Sequence, residues 1–277
     1  MPTSGRRKPH TRRLGALLAV SLVLLAAAGA LAIWVRHQRQ ERALAEIARA
    51  GGYLQEIRPA GPTWLRRRLG DKYLAPFDRI ISVNLSDAVI DDRLLASLTA
   101  LSELEVLYLD RTQIDDKQLE VLAGFGQLGE LSLSNTRVTD RGLANLASLP
   151  RLKWLRLDGT EVTGTELSHL AELPALEILY LDNAPVEDAG LADLRGFRSL
   201  RHLSLTQTRI TDASLESISR LPNLTALWLD GTRVSGSGLR HLADLPRLET
   251  LDLASTPVRN DDLKDLAPLP TLRELSL

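Results

Sequence analysis

The chain has 277 residues, 44% of them hydrophobic and 25% charged, enough for one sizeable domain with little room for a second. It contains no cysteine, which excludes disulfides, thiolate nucleophiles and cysteine-ligated metals. The net charge of −1 hides an asymmetry, because residues 1–79 sum to +10 and residues 80–277 to −11. The acidic body argues against nucleic acid as a partner, since that requires basic surface to neutralise phosphates.

Residues 1–13 form a basic tail, assigned to the cytoplasm, with Arg6, Arg7, Lys8, Arg12 and Arg13. Leu14 to Val35, "LGALLAVSLVLLAAAGALAIWV", are 22 residues without a charge. At ~1.5 Å per residue a helix of that length spans roughly 33 Å, about the thickness of a hydrocarbon core. The stretch predicts one transmembrane helix, a signal anchor, with Trp34 at the interface. A cleaved signal peptide is the competing reading, with Ala28-Gly29-Ala30 or Ala30-Leu31-Ala32 as the small-x-small site. The cationic tail favours a single-pass protein of the cell membrane with its N-terminus inside and the rest extracytoplasmic, a bias moderated by Arg36, Arg39 and Arg42.

Residues 36–50, "RHQRQERALAEIARA", read as a charged helical stalk that Gly51-Gly52 interrupts. Residues 51–79 read as an N-terminal cap for the rest of the chain, since repeat arrays need atypical end units. A short helix is expected near "GPTWLRRRLGDKYLAPFDRI", with Pro62 in its first turn. Trp64, Leu65, Leu69 and Tyr73 are placed on one apolar stripe, with Arg66, Arg67 and Arg68 facing outward. A lipid-facing role for the arginine run is the minority reading.

From residue 80 the sequence repeats with a period of 24. Leucine recurs at 104, 128, 152, 176, 200, 224, 248 and 272, and Ile80 holds the same place one unit earlier. Segments such as "LEVLYLDRTQI", "LKWLRLDGTEV" and "LTALWLDGTRV" align, giving eight full units and a ninth that stops after its strand at Leu277. The pattern L-x-x-L-x-L resembles the leucine-rich repeat family over about 200 residues. The later "VTDxGLxxL" part is similar to the cysteine-containing repeats of F-box proteins and their bacterial relatives. Threonine stands where that family often has Asn or Cys, at 112, 136, 160, 208, 232 and 256, and is expected to bond the backbone of a neighbouring coil. No F-box segment precedes the repeats, so a ubiquitin-ligase adaptor role is not carried over. The resemblance implies an α/β leucine-rich-repeat solenoid (a horseshoe) with a parallel concave sheet and convex helices, here added to one N-terminal transmembrane helix.

The residues agree with that architecture. "VLYLD" alternates as a strand does, with Leu107 and Leu109 on one face and Tyr108 on the other. Thr139-Asp140 and Thr211-Asp212 are expected to cap helices, and Thr163-Gly164-Thr165-Glu166 matches a capping box. Phe125 and Phe197 replace helical leucines and are assigned to the core. One unit cannot bury its leucines alone, whereas stacked units can.

Numbering each unit from its first leucine, columns 3, 5 and 7 point away from the core. Every Tyr and Trp of the repeats falls in columns 3 or 5: Tyr108, Trp154, Tyr180 and Trp228. Column 7 holds Asp110, Asp158, Asp182 and Asp230, and Arg156 and His202 lie among the rings. Ideal strand spacing puts Tyr180 about 10 Å from Trp228 and Trp154 roughly 8 Å from Tyr180. These ten residues form the expected ligand-binding face, suited to a protein or peptide, or to a glycan. Aromatics simply covering a sheet is the blander alternative.

Catalysis is not expected. His202 has no nucleophile or metal partner, and His169 and His241 fall on the solvent side of helices. The Asp column, one carboxylate per strand, is unlike a dedicated calcium loop. No phosphate-binding glycine loop and no nucleophile elbow occurs, and neither cofactor nor metal is expected. The alternative to recognition is a self-associating scaffold using residues 272–277, where the final strand leaves an open sheet edge.

Overall fold

The computed structural model describes residues 10–277, with side chains from Ser21 onward except that of Lys72. Residues 1–9 of the basic tail, and the side chains of Arg12 and Arg13, lie outside the described residues. The first helix, α1 (His10–Arg49), runs unbroken through the predicted span and stalk, and Gly51, at φ 90°, lies just past its end. From Ser21 this helix is long and apolar enough to cross a membrane, and none of its apolar window is buried in the protein.

The chain divides into two compact units. The first combines α1 up to Arg42 with Pro59–Asp78. Its second segment holds α2 (Thr63–Leu69) and α3 (Asp71–Leu74). Here two sequence expectations need correction. Trp64, Leu69 and Tyr73 do not pack as a stripe but are 63%, 49% and 64% exposed. Arg66 does not face outward. Its guanidinium donates to the Ala60 carbonyl at 3.1 Å, to Asp71 at 3.1 Å and to Asp78, whose carboxylate also caps the Ala60 amide. The physical reason is that two acids within reach offer a paired, half-buried charge, which outweighs the i, i+4 apolar pattern of so short a helix.

The second unit, Ala43–Arg58 with Arg79–Leu277, is a solenoid. Its sheet follows chain order over ten strands. β1 (Tyr53–Arg58) pairs antiparallel with β2 (Arg79–Asn84). Parallel to β2 follow β3 (Val106–Tyr108), β4 (Glu130–Ser132), β5 (Trp154–Arg156), β6 (Ile178–Tyr180), β7 (His202–Ser204), β8 (Ala226–Trp228), β9 (Thr250–Asp252) and β10 (Glu274–Ser276). The register shift from strand to strand is one period, so Leu107 lies beside Leu131 and Leu131 beside Leu155. Identical columns therefore stack on themselves. Columns 4 and 6, from Val83 to Leu253, are at most 1% exposed in every full unit. Each such side chain contributes about 1.5–3 kcal/mol by leaving water. Phe125 and Phe197 lie in the same core.

The return segments opposite the sheet are short, none longer than seven residues, and most are 3₁₀ turns. Thr139 and Thr211 cap theirs, accepting from the amides of Arg141 and Ala213. The capping box at Thr163–Glu166 does not form. The turn starts at Leu167, and the Thr163 hydroxyl donates to Asp140 of the preceding coil at 2.7 Å.

That bond belongs to a ladder. Asp116 accepts from the amide and hydroxyl of Thr139 at 2.8 and 2.6 Å. Asp140 does the same with Thr163 and also takes the Gly164 amide. Asp188 bonds Thr211 and Ser214, and Asp212 bonds Ser235 and Ser237. The column-9 threonines do something else: Thr112, Thr136, Thr160, Thr208, Thr232 and Thr256 donate to the carbonyl three residues back in their own coil, not to a neighbour. A hydroxyl on a short side chain reaches its own turn first. Coil-to-coil fastening falls instead to the aspartate that follows Asp115, Thr139, Glu187 and Thr211 in their respective units.

Burial pushes the carboxyls of Asp140, Asp188 and Asp212 up, but the hydroxyls and amides of the next coil outweigh it and hold all three below the usual aspartate range. A lowered carboxyl stabilises the fold above the ordinary aspartate pKa, and that stability is lost as pH falls through the lowered value. Urea denaturation of the full chain should therefore show a midpoint that drops below about pH 4. Asp140→Ala should cost about 1–3 kcal/mol at pH 7 and flatten this acid limb. An unchanged acid limb in that variant would contradict the ladder's role.

Candidate functional site

Strands of three residues expose one face of the sheet, and columns 3 and 5 project from it. Tyr108, Trp154, Tyr180, Trp228 and His202 form one unbroken path of rings across β3 to β8. Their centroids are 6.4, 6.0, 6.1 and 5.9 Å apart in that order, and each pair meets edge to face at 80–89°. Edge-to-face contact sets the electropositive rim of one ring against the electron-rich face of the next, worth about 0.5–1.5 kcal/mol per pair. The rings lie closer than ideal strand spacing implies, with Tyr180–Trp228 at 6.1 Å where about 10 Å is expected. The reason is in column 5. Between Tyr180 and Trp228 stands Ser204, and Ser132 stands one strand after Tyr108, so the large rings lean across buried serines.

Arg156 is the one Lys or Arg in columns 3, 5 and 7. Its Cζ stands 4.7 Å from the Trp154 ring centre and 5.3 Å from that of Tyr180. Its Nε is 3.2 Å from Asp158 Oδ2, close enough for charge attraction but without hydrogen-bond alignment. The cation is therefore held mainly by ring faces.

The carboxylates of column 7 are used differently from one another. Asp110 accepts from Ser132 and from the Ser134 amide at 2.9 Å. Asp182 accepts from Ser204 and from the Thr206 amide at 2.9 Å. These two acids tie the exposed face of one coil to the next. Asp158 accepts from the Asp182 amide at 3.1 Å and weakly from Ser134 at 3.4 Å. Burial, and then the neighbouring Asp182 charge, push its carboxyl up to about 6 against the pull of that amide and of Arg156. Among the described residues the Asp230 carboxylate has only a 3.5 Å contact from Gln207. Burial and a hydrogen bond to Glu130 push the Tyr108 hydroxyl up to about 12. Burial, and then the Arg201 charge, lower His202, so its imidazole is neutral at physiological pH.

So the structure brings Tyr108, Trp154, Arg156, Tyr180, His202 and Trp228 together, binds Asp110 and Asp182 into the scaffold, partly engages Asp158, and leaves Asp230 nearly unengaged. Sequence reasoning missed Glu130, Ser132 and Ser204. The last two had a signal: serine follows an aspartate by 22 residues at both Asp110–Ser132 and Asp182–Ser204. Among the described residues no group of three or more His, Asp or Glu is placed to hold a metal.

One strand per coil, stacked leucine columns and short return turns define a leucine-rich repeat solenoid. A family model for a leucine-rich repeat region matches residues 82–277, and the chain belongs to the leucine-rich repeat family. Solved structures share the fold. An internalin, InlF, from Listeria monocytogenes is 22% identical with a TM-score of 0.56, over 70% of this chain and 53% of its own. Internalin C2 from the same organism is 26% identical with a TM-score of 0.56, over 72% of this chain and 80% of its own. The chain thus spans about half the length of the first of these. No curated protein matches.

The raised Asp158 carboxyl makes a prediction of opposite sign to the ladder. A raised acid keeps its proton in the fold, so its contribution is complete below the ordinary aspartate pKa and is lost as pH rises through about 6. Asp158→Asn should therefore gain stability relative to the parent between pH 4.5 and 7.5, read from urea midpoints at the two values. The same offset at both would show that Asp158 titrates normally.

Proposed function

We propose that this chain is a non-catalytic recognition protein, held in the cell membrane by α1 with its repeat domain outside the cytoplasm, and that it binds a protein or peptide through the ring-lined concave face. In this reading residues 1–13 are the cytoplasmic tail, 14–35 the span, 36–50 the stalk, 51–79 the cap and 80–277 the recognition domain. The carrying observation is the continuous path of half-buried rings from Tyr108 to His202. Interface anchors are aromatic side chains and arginines already fixed in place, because fixed groups lose little entropy on binding. Here the rings lock one another and Arg156. Trp154, Tyr180 and Trp228 supply contact area, Arg156 a positioned cation, and Asp230 the least engaged acid for a basic group of the partner. A glycan stacked on the rings is the related ligand class.

Capture of partners by the full chain tests the surface. Replacing Trp154, Tyr180 and Trp228 together by Ser should weaken the captured interaction by at least ~30-fold, the effect of losing a single strong anchor. Binding that survives the triple change would place the site elsewhere. Orientation has its own test. Protease added to whole cells should degrade the repeat domain, and protection until lysis would put that domain inside.

A further inference from the structure

The solenoid hides its large apolar side chains. Within residues 80–277 only Val89, Leu275 and Leu277 of that kind are exposed. The twenty residues Pro59–Asp78 behave differently, exposing Trp64, Leu69, Tyr73 and Phe77 at 63%, 49%, 64% and 47%. On α2, Trp64, Arg67 and Arg68 fall at i, i+3 and i+4 and share one side of the helix, and both arginines are exposed. Arg66 points away from that side into its clasp with Asp71 and Asp78. The clasp fixes the segment so that it presents rings and cations together.

The chemistry of this patch and its neighbour decide its occupant. Trp, Tyr and Phe beside Arg are the side chains that settle at the boundary between acyl chains and headgroups. The segment belongs to the same compact unit as α1 up to Arg42, the helix long and apolar enough to span a bilayer. The segment shares that compact unit with the apolar helix, and its exposed rings and arginines have the side-chain chemistry of a headgroup-facing surface. We propose that Trp64 and Phe77, with Arg67 and Arg68, dock on the anionic headgroup layer of the bilayer that holds α1. This inference rests on the anchored reading of α1 and adds a second, peripheral contact. The arginines select anionic phosphate headgroups, and the rings set the depth. The segment would thus brace the unit against the membrane surface rather than leave it on a free tether.

The absence of cysteine makes the test direct. Phe77→Cys, or Trp64→Cys as a second probe, and Val89→Cys as a control can each carry one polarity-sensitive fluorophore. The full chain is reconstituted into phosphatidylcholine vesicles with phosphatidylglycerol and brominated acyl chains. Resistance to carbonate extraction reports anchoring by α1, and quenching by the brominated lipid reports docking. The labels at 77 and 64 should be blue-shifted and quenched, and that at 89 should not. Arg67→Gln with Arg68→Gln should leave carbonate resistance intact and weaken docking by roughly 5-fold per arginine. Carbonate-resistant protein whose labels at 77 and 64 are no more quenched than at 89 would overturn docking alone. A blue shift without quenching would mean that protein covers the patch, and would also overturn it. Loss of carbonate resistance in the parent would remove the anchor and the docking together.

Discussion

Everything in the repeat domain depends on one constraint: a coil of 24 residues has too little interior to bury its own leucines, so each coil is stable only against its neighbours. Burial therefore operates between units, and it is maximal when like columns lie side by side. The sheet register shows the consequence, with Leu107, Leu131 and Leu155 adjacent and buried alike. Apolar burial is non-directional, however, and does not by itself prevent coils from sliding. Direction comes from polar groups. On the return side it is the aspartate ladder from Asp116, Asp140, Asp188 and Asp212, and on the sheet side Asp110 and Asp182. Each carboxylate accepts an amide of the following coil, so each bond exists only in the correct register.

The ladder also accounts for the small residues of the motif. A Cβ on Gly142 would stand 2.5 Å from the Asp116 carboxylate, and one on Gly238 2.7 Å from that of Asp212. Glycine there makes room for the fastening group of the previous coil. Where the ladder aspartate is replaced by Gly164, the next coil carries Gly190, whose Cβ would stand 2.4 Å from the Thr163 carbonyl. Direct backbone approach replaces the side-chain clasp at that joint. The eighth column shows a related economy. Asp87, Arg111, Asn135, Asn183, Gln207 and Ser255 all adopt φ of 55–62°, and glycine fills the column only at 159 and 231. A Cβ at those two would strike the side chains of Asn135 and Gln207 from the preceding coil. Non-glycine residues bear the left-handed strain because the strand must turn sharply at a fixed point in each coil.

Much of this was legible in the sequence. The period, the leucine columns and the placing of Phe125 and Phe197 follow from spacing, because burial between units leaves a periodic trace, and the parallel sheet follows from the family resemblance which that spacing carries. The fastening was not legible, because Thr139-Asp140 satisfies a helix-cap pattern and a coil-to-coil bond equally well, and only the neighbouring coil decides that Asp140 serves Thr163. Ring-to-ring distances were misjudged for a similar reason. Column spacing sets backbone positions, while Ser132 and Ser204 decide how far the rings can lean. In the segment Pro59–Asp78 the apolar spacing suggested a packed stripe, but the Arg66–Asp78 pair and the exposure of Trp64 show that a helix of seven residues obeys its partners before its period.

The same stacking sorts side chains by type. The solenoid core is built almost wholly of Leu, Ile and Val, with two phenylalanines, and uses no Tyr or Trp. A leucine column stacks on itself without a gap, whereas a bulky ring repeated at every coil would overfill the stack. Excluded from the core, the tyrosines and tryptophans of the repeats stand where two strands of lateral room are available, on the open sheet face. There they need neighbours of a different size, and the intervening serines supply them. The serines are then buried under rings and require acceptors, which Asp110 and Asp182 provide. Ring path, serine spacing and acid column are therefore one arrangement. Removing a serine would disturb the rings, and removing a ring would uncover a buried hydroxyl–carboxylate pair. Asp230 falls outside the arrangement because Asp252, not serine, follows it in column 5, and among the described residues this leaves its carboxylate the least engaged of the four.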